Sequence, residues 1–411
     1  MMRRSSTIFA AIALCCTSQS GAQLSLPVGS VPGLPGVGSI PGSINGRLDN
    51  LLDRPLGEIA NTLRLARLDR IETLVSNNRE AIERDMDNAP ARRGVIVLVD
   101  PDPATLQQVR ALGLLANEPE AIDGLGVTTS QITLPAGMSL AAAQKLLRKK
   151  IPQATIASDQ IFFQSGTAAL APAVTVPANN GAIATPVGLI DGAAAQPVRA
   201  VKGFARGAPY PSNHGSAVAA LAYSAGARNI LVADVYGTDP AGGNALAIAR
   251  GMGWLLDRGA KVISISLVGP RNPLLERAVT AARDRGAVIV AAVGNDGPAA
   301  PPAYPASYKD VLAITAVDKR NRPLIEAGRA THLDYAAPGT DIAALDRTGK
   351  LVPVRGTSFA APLVAARAAA MLDRGATVRT VAARLDAEAI PLARRRPDPQ
   401  TGRGLLCAGC R

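Results

Sequence analysis

The sequence predicts an α/β protein, with a mostly parallel sheet carrying helices on both faces and a small α+β unit of ferredoxin-like topology before it. Three observations predict this. Apolar residues make up 47% of the 411 residues while aromatics make up 3%, so the core is built from Ala, Val, Leu and Ile, which suits helices laid on a parallel sheet. From about residue 181 onward, apolar strands alternate with helical stretches, the pattern of a sheet joined by crossover helices. Between about 92 and 163 the order is shorter and reads βαββαβ. A chain of this length has room for two or three domains.

The elements follow in order. Arg3 and Arg4 precede the apolar run from Ile8 to Leu14, and Ser20-Gly21-Ala22 offers small residues for cleavage; residues 1–22 read as a secretory signal peptide. The run is too short to span a membrane, and no later stretch qualifies. The expected location is secreted, periplasmic or in the cell envelope. Residues 23–46 are a Gly/Pro-rich linker. Residues 47–90 carry Leu48, Leu51, Leu52, Ile59, Leu63, Leu65, Leu68, Ile71 and Leu74 at helical spacing. They read as a helical segment, either a hairpin or a surface for an unknown partner.

Residues 91–164 form the small unit. Val95 to Val99 is a strand, Pro103 to Leu114 a helix capped by Asp102, Gln131 to Leu134 a strand, and Ser139 to Lys149 a helix capped by Ser139. A weaker strand lies near 120, and a last one ends at Phe163. Residues 165–411 form the large unit. Its strands are Val187–Ile190, Ile230–Val235, Val262–Leu267, Ala287–Val293 and Val311–Val317, with helices at Ser216–Ala225, Gly242–Arg258 and Pro273–Arg285. Functional sites in such folds gather at the carboxyl ends of the strands.

The net charge of +12 raises the question of nucleic acid, but no zinc-finger spacing and no aromatic-basic RNA motif is present. The arginines are scattered apart from Arg394-Arg395-Arg396, which reads as a solvated face. After loss of the signal only Cys407 and Cys410 remain. A short disulfide is the plain expectation for an exported protein.

The most informative stretch is Gly356-Thr357-Ser358-Phe359-Ala360-Ala361-Pro362. It sets one serine at a glycine turn before an alanine-rich helix, where free N–H groups favour developing negative charge. Such a serine needs a base, an orienting acid and an oxyanion donor. Of two histidines, His214 stands just before an apolar helix and suits the base, while His332 lies in a polar loop and reads as structural. Asp191 and Asp234 each end a strand, and by position alone either can orient the imidazole. Asn295, in the turn Gly294-Asn295-Asp296-Gly297, can donate to an oxyanion.

Together these motifs resemble the subtilisin family (subtilases). The order Asp191, His214, Asn295, Ser358 is the family's order, and 356–362 matches its nucleophile motif. Tyr304-Pro305-Ala306, Ala337-Pro338-Gly339 and Gly402-Arg403-Gly404-Leu405-Leu406 resemble further landmarks. The resemblance spans about 181–406 and selects Asp191 over Asp234 as the acid. It implies a subtilisin-like fold and a serine endopeptidase acting on polypeptides without a cofactor, although structural calcium, common in the family, is compatible with it and no site is assigned. The strand Ser264-Ile265-Ser266-Leu267-Val268-Gly269 resembles the family's substrate-binding strand, with Val268 where glycine is usual, which should narrow the pocket. Ala217 and Ala220 also depart from the usual His and Gly. The unit at 91–164 resembles a prodomain, an intramolecular inhibitor that is cut off near Phe163-Gln164-Ser165-Gly166 or within the small residues 165–170. The competing expectation is a catalytically silent or permanently autoinhibited interaction protein on the same fold.

Overall fold

The computed structural model describes residues 55–168 and 181–410; the signal peptide, the linker, residues 47–54 and 169–180 lie outside the described residues. It opens with helix α1 (Leu56–Asn77), followed by strands β1 (Ile82–Arg84) and β2 (Pro90–Val99), helix α2 (Pro103–Ala111), β3 (Leu115–Ala116), β4 (Glu120–Ile122), β5 (Val127–Thr133), α3 (Leu140–Lys150) and β6 (Thr155–Gln160). The helix expected over 47–90 therefore stops at Asn77. Ile82 is fully buried and pairs with Arg92 across a β-hairpin, so the tail of that segment belongs to the sheet, because cross-strand pairing satisfies its backbone where a helix end would not. Both predicted caps are present: Asp102 accepts from the Thr105 N–H and Ser139 from the Ala142 N–H.

Strand β2 is central in this first sheet. It pairs with β5 on one side and β6 on the other, and β5 pairs in turn with β3 and β4, all antiparallel. The order β6, β2, β5, β4 is that of a split βαβ unit. Ile96, Leu98, Ile132 and Ile156 on one face pack with Leu106 and Val109 of α2 and Leu140 and Leu147 of α3. The alternate residues Val97, Val99, Val127 and Ala157 face the other way, as the period of two along a strand requires.

The chain continues through two short strands, β7 (Phe163–Gln164) and β8 (Thr167–Ala168), into the large unit. There follow β9 (Val187–Asp191), β10 (Ala200–Gly203), α4 (Asn213–Ser224), β11 (Ile230–Asp234), α5 (Ala245–Asp257), β12 (Val262–Ile265), β13 (Leu267–Val268), α6 (Pro273–Asp284), β14 (Val288–Ala292), β15 (Leu312–Val317), β16 (Tyr335–Pro338), β17 (Ile342–Leu345), β18 (Leu351–Arg355), α7 (Thr357–Asp373) and α8 (Val381–Glu388). The main sheet runs β10-β11-β9-β12-β14-β15-β16, every neighbour parallel. Helices α4 and α7 pack on one face of it, with Val187, Leu189 and Val290. Helices α5 and α6 pack on the other, with Ile190, Ile263 and Ala291.

Two predicted elements change. The strand expected over 262–267 breaks at Ser266 into parallel β12 and antiparallel β13, because the second half pairs with β7, the segment that joins the two units. Helix α4 begins at Asn213, capped by Ser212, whose hydroxyl accepts from the Gly215 N–H at 2.9 Å. His214 thus stands inside the first turn, not before it.

The first sheet lies on α5 and α6: Val97, Val99, Leu125 and Val127 share one apolar cluster with Trp254, Leu274 and Leu275. A glycine pair allows this approach. A Cβ on Gly253 of α5 would lie 2.0 Å from the Asp123 carbonyl oxygen, and one on Gly124 (φ +74°) would lie 2.1 Å from the Gly253 oxygen. Helix α1 reaches farther. Ile59 and Leu63 pack on Ile325, Ile71 and Leu74 pack with Ile161 and Phe163, and Arg67 and Arg70 meet Asp296 at 3.3 and 2.8 Å.

Candidate active site

Asp191 ends β9, and the neighbouring strands β11 and β12 lie on opposite sides of it. The chain reverses its direction of travel across the sheet here, which opens a crevice at the strand ends. His214 enters that crevice from the first turn of α4. Its Nδ1 lies 2.8 and 3.0 Å from the two Asp191 oxygens. Asp191 also accepts from the Gly192 N–H at 2.7 Å and the Gln164 amide at 2.8 Å, so its orientation is held from three directions. Close packing of α4 is required for this contact: a Cβ on Gly215 would lie 2.1 Å from the Gly192 oxygen.

Asp234 does not reach the imidazole. Its carboxylate accepts from the Tyr210, Tyr236 and Gly237 N–H groups at 2.6, 2.9 and 3.0 Å. Burial pushes its pKa up, while these three backbone donors pull it down; its role is to shape the loop after β11. His332 is structural, with Nε2 2.9 Å from the Val311 carbonyl.

Ser358 is the second residue of α7, preceded by Gly356 with φ 140°. An L side chain at Gly356 would be strained, and its Cβ would lie 2.5 Å from the Asn295 Nδ2, 2.8 Å from the Gly166 Cα and 3.0 Å from the Ser165 oxygen. Asn295 is anchored because its Oδ1 accepts from the Thr357 N–H at 3.1 Å, and the Thr357 hydroxyl accepts from the Gly294 N–H at 3.0 Å. The amide nitrogen of Asn295 and the Ser165 carbonyl oxygen thus both lie beside the point a Cβ would take on Gly356. The Ser358 N–H donates to that same carbonyl at 3.1 Å.

The crevice is filled by the chain itself. Phe163 and Gln164 pair with Val268 and Leu267, and Thr167 and Ala168 pair with Arg355 and Val354. Ser165 donates its N–H to the Ser266 carbonyl at 3.3 Å. The Ser358 hydroxyl donates to the same carbonyl at 3.0 Å and lies 2.6 Å from the Ser165 hydroxyl. The His214 Nε2 is buried without a hydrogen-bond partner. It lies 3.3 Å from the position a Cβ would take on Gly166, in the space beside the Phe359 ring. Under this cover Asp191, His214, Asn295 and Ser358 are all buried.

The structure thus brings together all four residues singled out in the sequence. Of the strand 264–269, Ser266, Leu267 and Val268 meet residues 163–165. Gly269 faces the ring of Phe162, which a Cβ there would meet at 2.5 Å. Ser264 and Ile265 lie in the parallel sheet behind them. Val268 stands over a cavity of about 360 Å³ that also has Gly269, Val293 and Gly294 in its wall, with Arg67 and Ile71 of α1 across it. Ala217 is buried in α4. Sequence reasoning missed Gln164 as a partner of Asp191 and Asp296 as a partner of α1; each depends on a contact between distant parts of the chain.

Among the described residues no group of three or more His, Cys, Asp or Glu side chains is placed to hold a metal ion, and no helix is long and apolar enough to cross a membrane. Cys407 and Cys410 are joined in a disulfide.

Residues 203–404 match the family model described as the subtilase family, Peptidase_S8. Thermitase of Thermoactinomyces vulgaris is 34% identical over 176 residues, covering 43% of this chain and 61% of that protein. A thermophilic serine proteinase of Bacillus sp. strain AK1 is 36% identical over 175 residues, covering 40% and 43%. The matched segment therefore spans less than two thirds of either relative. Fervidolysin from Fervidobacterium pennivorans, a keratinolytic enzyme, superposes with a TM-score of 0.61 at 18% identity, over 77% of this chain and 60% of that one. The epidermin leader peptide processing protease of Staphylococcus aureus gives 0.57 at 15% identity, over 77% and 97%. The last two similarities concern the fold alone.

Proposed function

We propose that this chain, whose residues 203–404 match the subtilase family model, is an exported, self-processing serine endopeptidase that hydrolyses polypeptides through an acyl-enzyme. The observation that carries the reading is the convergence of a carboxylate-held imidazole, an anchored amide and a helix-terminal serine on one peptide of the chain.

In the reaction, the Ser358 hydroxyl turns from the Ser266 carbonyl to the His214 Nε2 and gives up its proton as its oxygen adds to the substrate carbonyl. Asp191 holds the Nδ1–H tautomer and stabilises the imidazolium. The Asn295 amide and the Ser358 N–H receive the oxyanion. His214 then protonates the leaving amine, and the water that replaces it releases the acyl group. No cofactor takes part. Residues 91–164 act as the intramolecular inhibitor; in support, Phe163 and Gln164 at their end and the residues that follow fill the crevice. The signal-like residues 1–22 support export, to the medium, the periplasm or the envelope.

The test is labelling by a serine-directed fluorophosphonate of folded, processed protein. Wild type should label at Ser358, with no label on Ser358→Ala; an unlabelled wild type in the processed form would remove the enzymatic reading.

A further inference from the structure

We infer that the bond this chain cuts in itself is Ser165–Gly166, chosen by an aromatic anchor three residues earlier at Phe162; the inference rests on the self-processing proposed above. Register narrows the choice first. Residues 163–168 are held on both sides of the serine, with Phe163 and Gln164 on β13 and Thr167 and Ala168 on β18. Between these two pairings only Ser165 and Gly166 are left at the helix terminus. A shift by one residue would turn every side chain of this strand to its other face.

The carbonyl geometry selects the same bond. A bond is poised for acyl transfer when its oxygen, and no other, meets the oxyanion donors. The Ser165 oxygen accepts from the Ser358 N–H at 3.1 Å, and it and the Asn295 Nδ2 lie 3.0 and 2.5 Å from one point, the position a Cβ would take on Gly356. The carbonyl of Phe162, three residues earlier, is engaged elsewhere, accepting from the Tyr236 hydroxyl at 2.8 Å.

The side chains, too, fit this register. Phe162 is fully buried, its N–H donates to the Gly243 carbonyl at 2.8 Å, and its ring covers Gly269. On the leaving side, a Cβ on Gly166 would meet the Phe359 ring at 2.6 Å. A residue without a side chain is thus required where the leaving amine must approach His214. Cleavage after Phe163, or beyond 168, would pull Phe162 from its seat.

In the cut, the Ser358 oxygen bonds to the Ser165 carbonyl carbon, and its proton passes to His214 Nε2. The Ser165–Gly166 C–N bond breaks, and that proton goes to the Gly166 nitrogen. Water then adds to the ester, leaving a carboxylate on Ser165 and restoring the Ser358 hydroxyl.

The experiment uses the full chain, following intact masses of both fragments from the earliest time at which they appear. Wild type should yield an N-terminal fragment ending at Ser165 and a partner beginning at Gly166. Phe162→Ala should slow that first cut by roughly tenfold or more, and Gly166→Val should block it at this bond, with circular dichroism confirming that each variant is folded. A first fragment ending at any other residue, or a folded Phe162→Ala cut at the wild-type rate, overturns the assignment of the bond while leaving self-processing intact. A Ser358→Ala chain cut like wild type overturns self-processing itself, and the bond assignment with it.

Discussion

Replacing Asp159 by Asn should abolish a pH dependence that the N-terminal unit imposes on the whole molecule. Asp159 lies on β6 against α5. It is fully buried, and one of its oxygens accepts from the Leu246 N–H at 2.9 Å while the other has no hydrogen-bond partner. The charges acting on it are those of Arg92, 3.9 Å away, Arg250 and Asp239. Burial outweighs the Leu246 N–H and both arginines, and lifts the pKa from 3.8 to about 6. A tenfold change in proton affinity is worth about 1.4 kcal/mol, so the protonated form is favoured by about 3 kcal/mol in the docked state. The folded value is raised, so this contribution is fully present below pH ~4 and is lost as pH rises through about 6. Asn keeps an acceptor for Leu246 and never charges. In a Ser358→Ala background, to keep the chain whole, Asp159→Asn should match its parent at pH 4 and exceed it at pH 7.5 by up to about 3 kcal/mol, or about 1 to 1.5 M in urea midpoint. The assay is built in: Trp254, the chain's single tryptophan, is buried on α5 in the cluster shared with the first sheet. Its fluorescence reports separation of the two units. Parallel pH profiles for parent and variant between pH 4 and 7.5 would refute the reasoning.

Three further outcomes are expected. Asn295→Ala should lower kcat by about 100- to 1,000-fold with little change in KM, measured on a peptide substrate. Ser165→Ala removes a hydroxyl 2.6 Å from Ser358 Oγ, so the freed nucleophile should cut the chain at the same bond about fivefold faster in a time course of intact masses, the worth of one ordinary hydrogen bond. Val268 lies against Gly294, its Cγ1 3.2 Å from where a Cβ would stand; wild type should prefer small or medium apolar residues before the cut, and Val268→Gly should raise kcat/KM for Phe or Tyr there about tenfold in a peptide library.

What is legible in the sequence is local. Ser358, Asn295 and Asp191 each follow or precede an apolar run at a turn, and a strand end or helix start can be read over a few residues. His214 is legible as a base but not as a helix residue, because the capping hydroxyl of Ser212 moves the helix start three residues earlier. Ser266 cannot be read as a break, since the break exists only to receive the Ser165 N–H and Ser358 hydroxyl from more than 90 residues away. The strands β10 and β16–β18 are short and gain their pairing from neighbours, which leaves little periodicity to find. Ile82 falls in with a helix because one buried residue looks the same in either pattern.

The grip of α1 bears on what a cut accomplishes. Arg67 and Arg70 on Asp296, Leu63 over Gly297, and the face laid on α5 and α6 are all independent of the Ser165–Gly166 bond. The disulfide joins Cys407 to Cys410 and ties nothing across. Severing one peptide bond would therefore leave the cover seated, and would change only its local concentration, from that of a tethered segment, near millimolar, to that of a free molecule in solution. Cutting and uncovering become separate events with different orders in protein. The first runs at a rate indifferent to dilution. The second proceeds further the more dilute the sample, so the same preparation would be masked in a concentrated stock and open in a dilute assay.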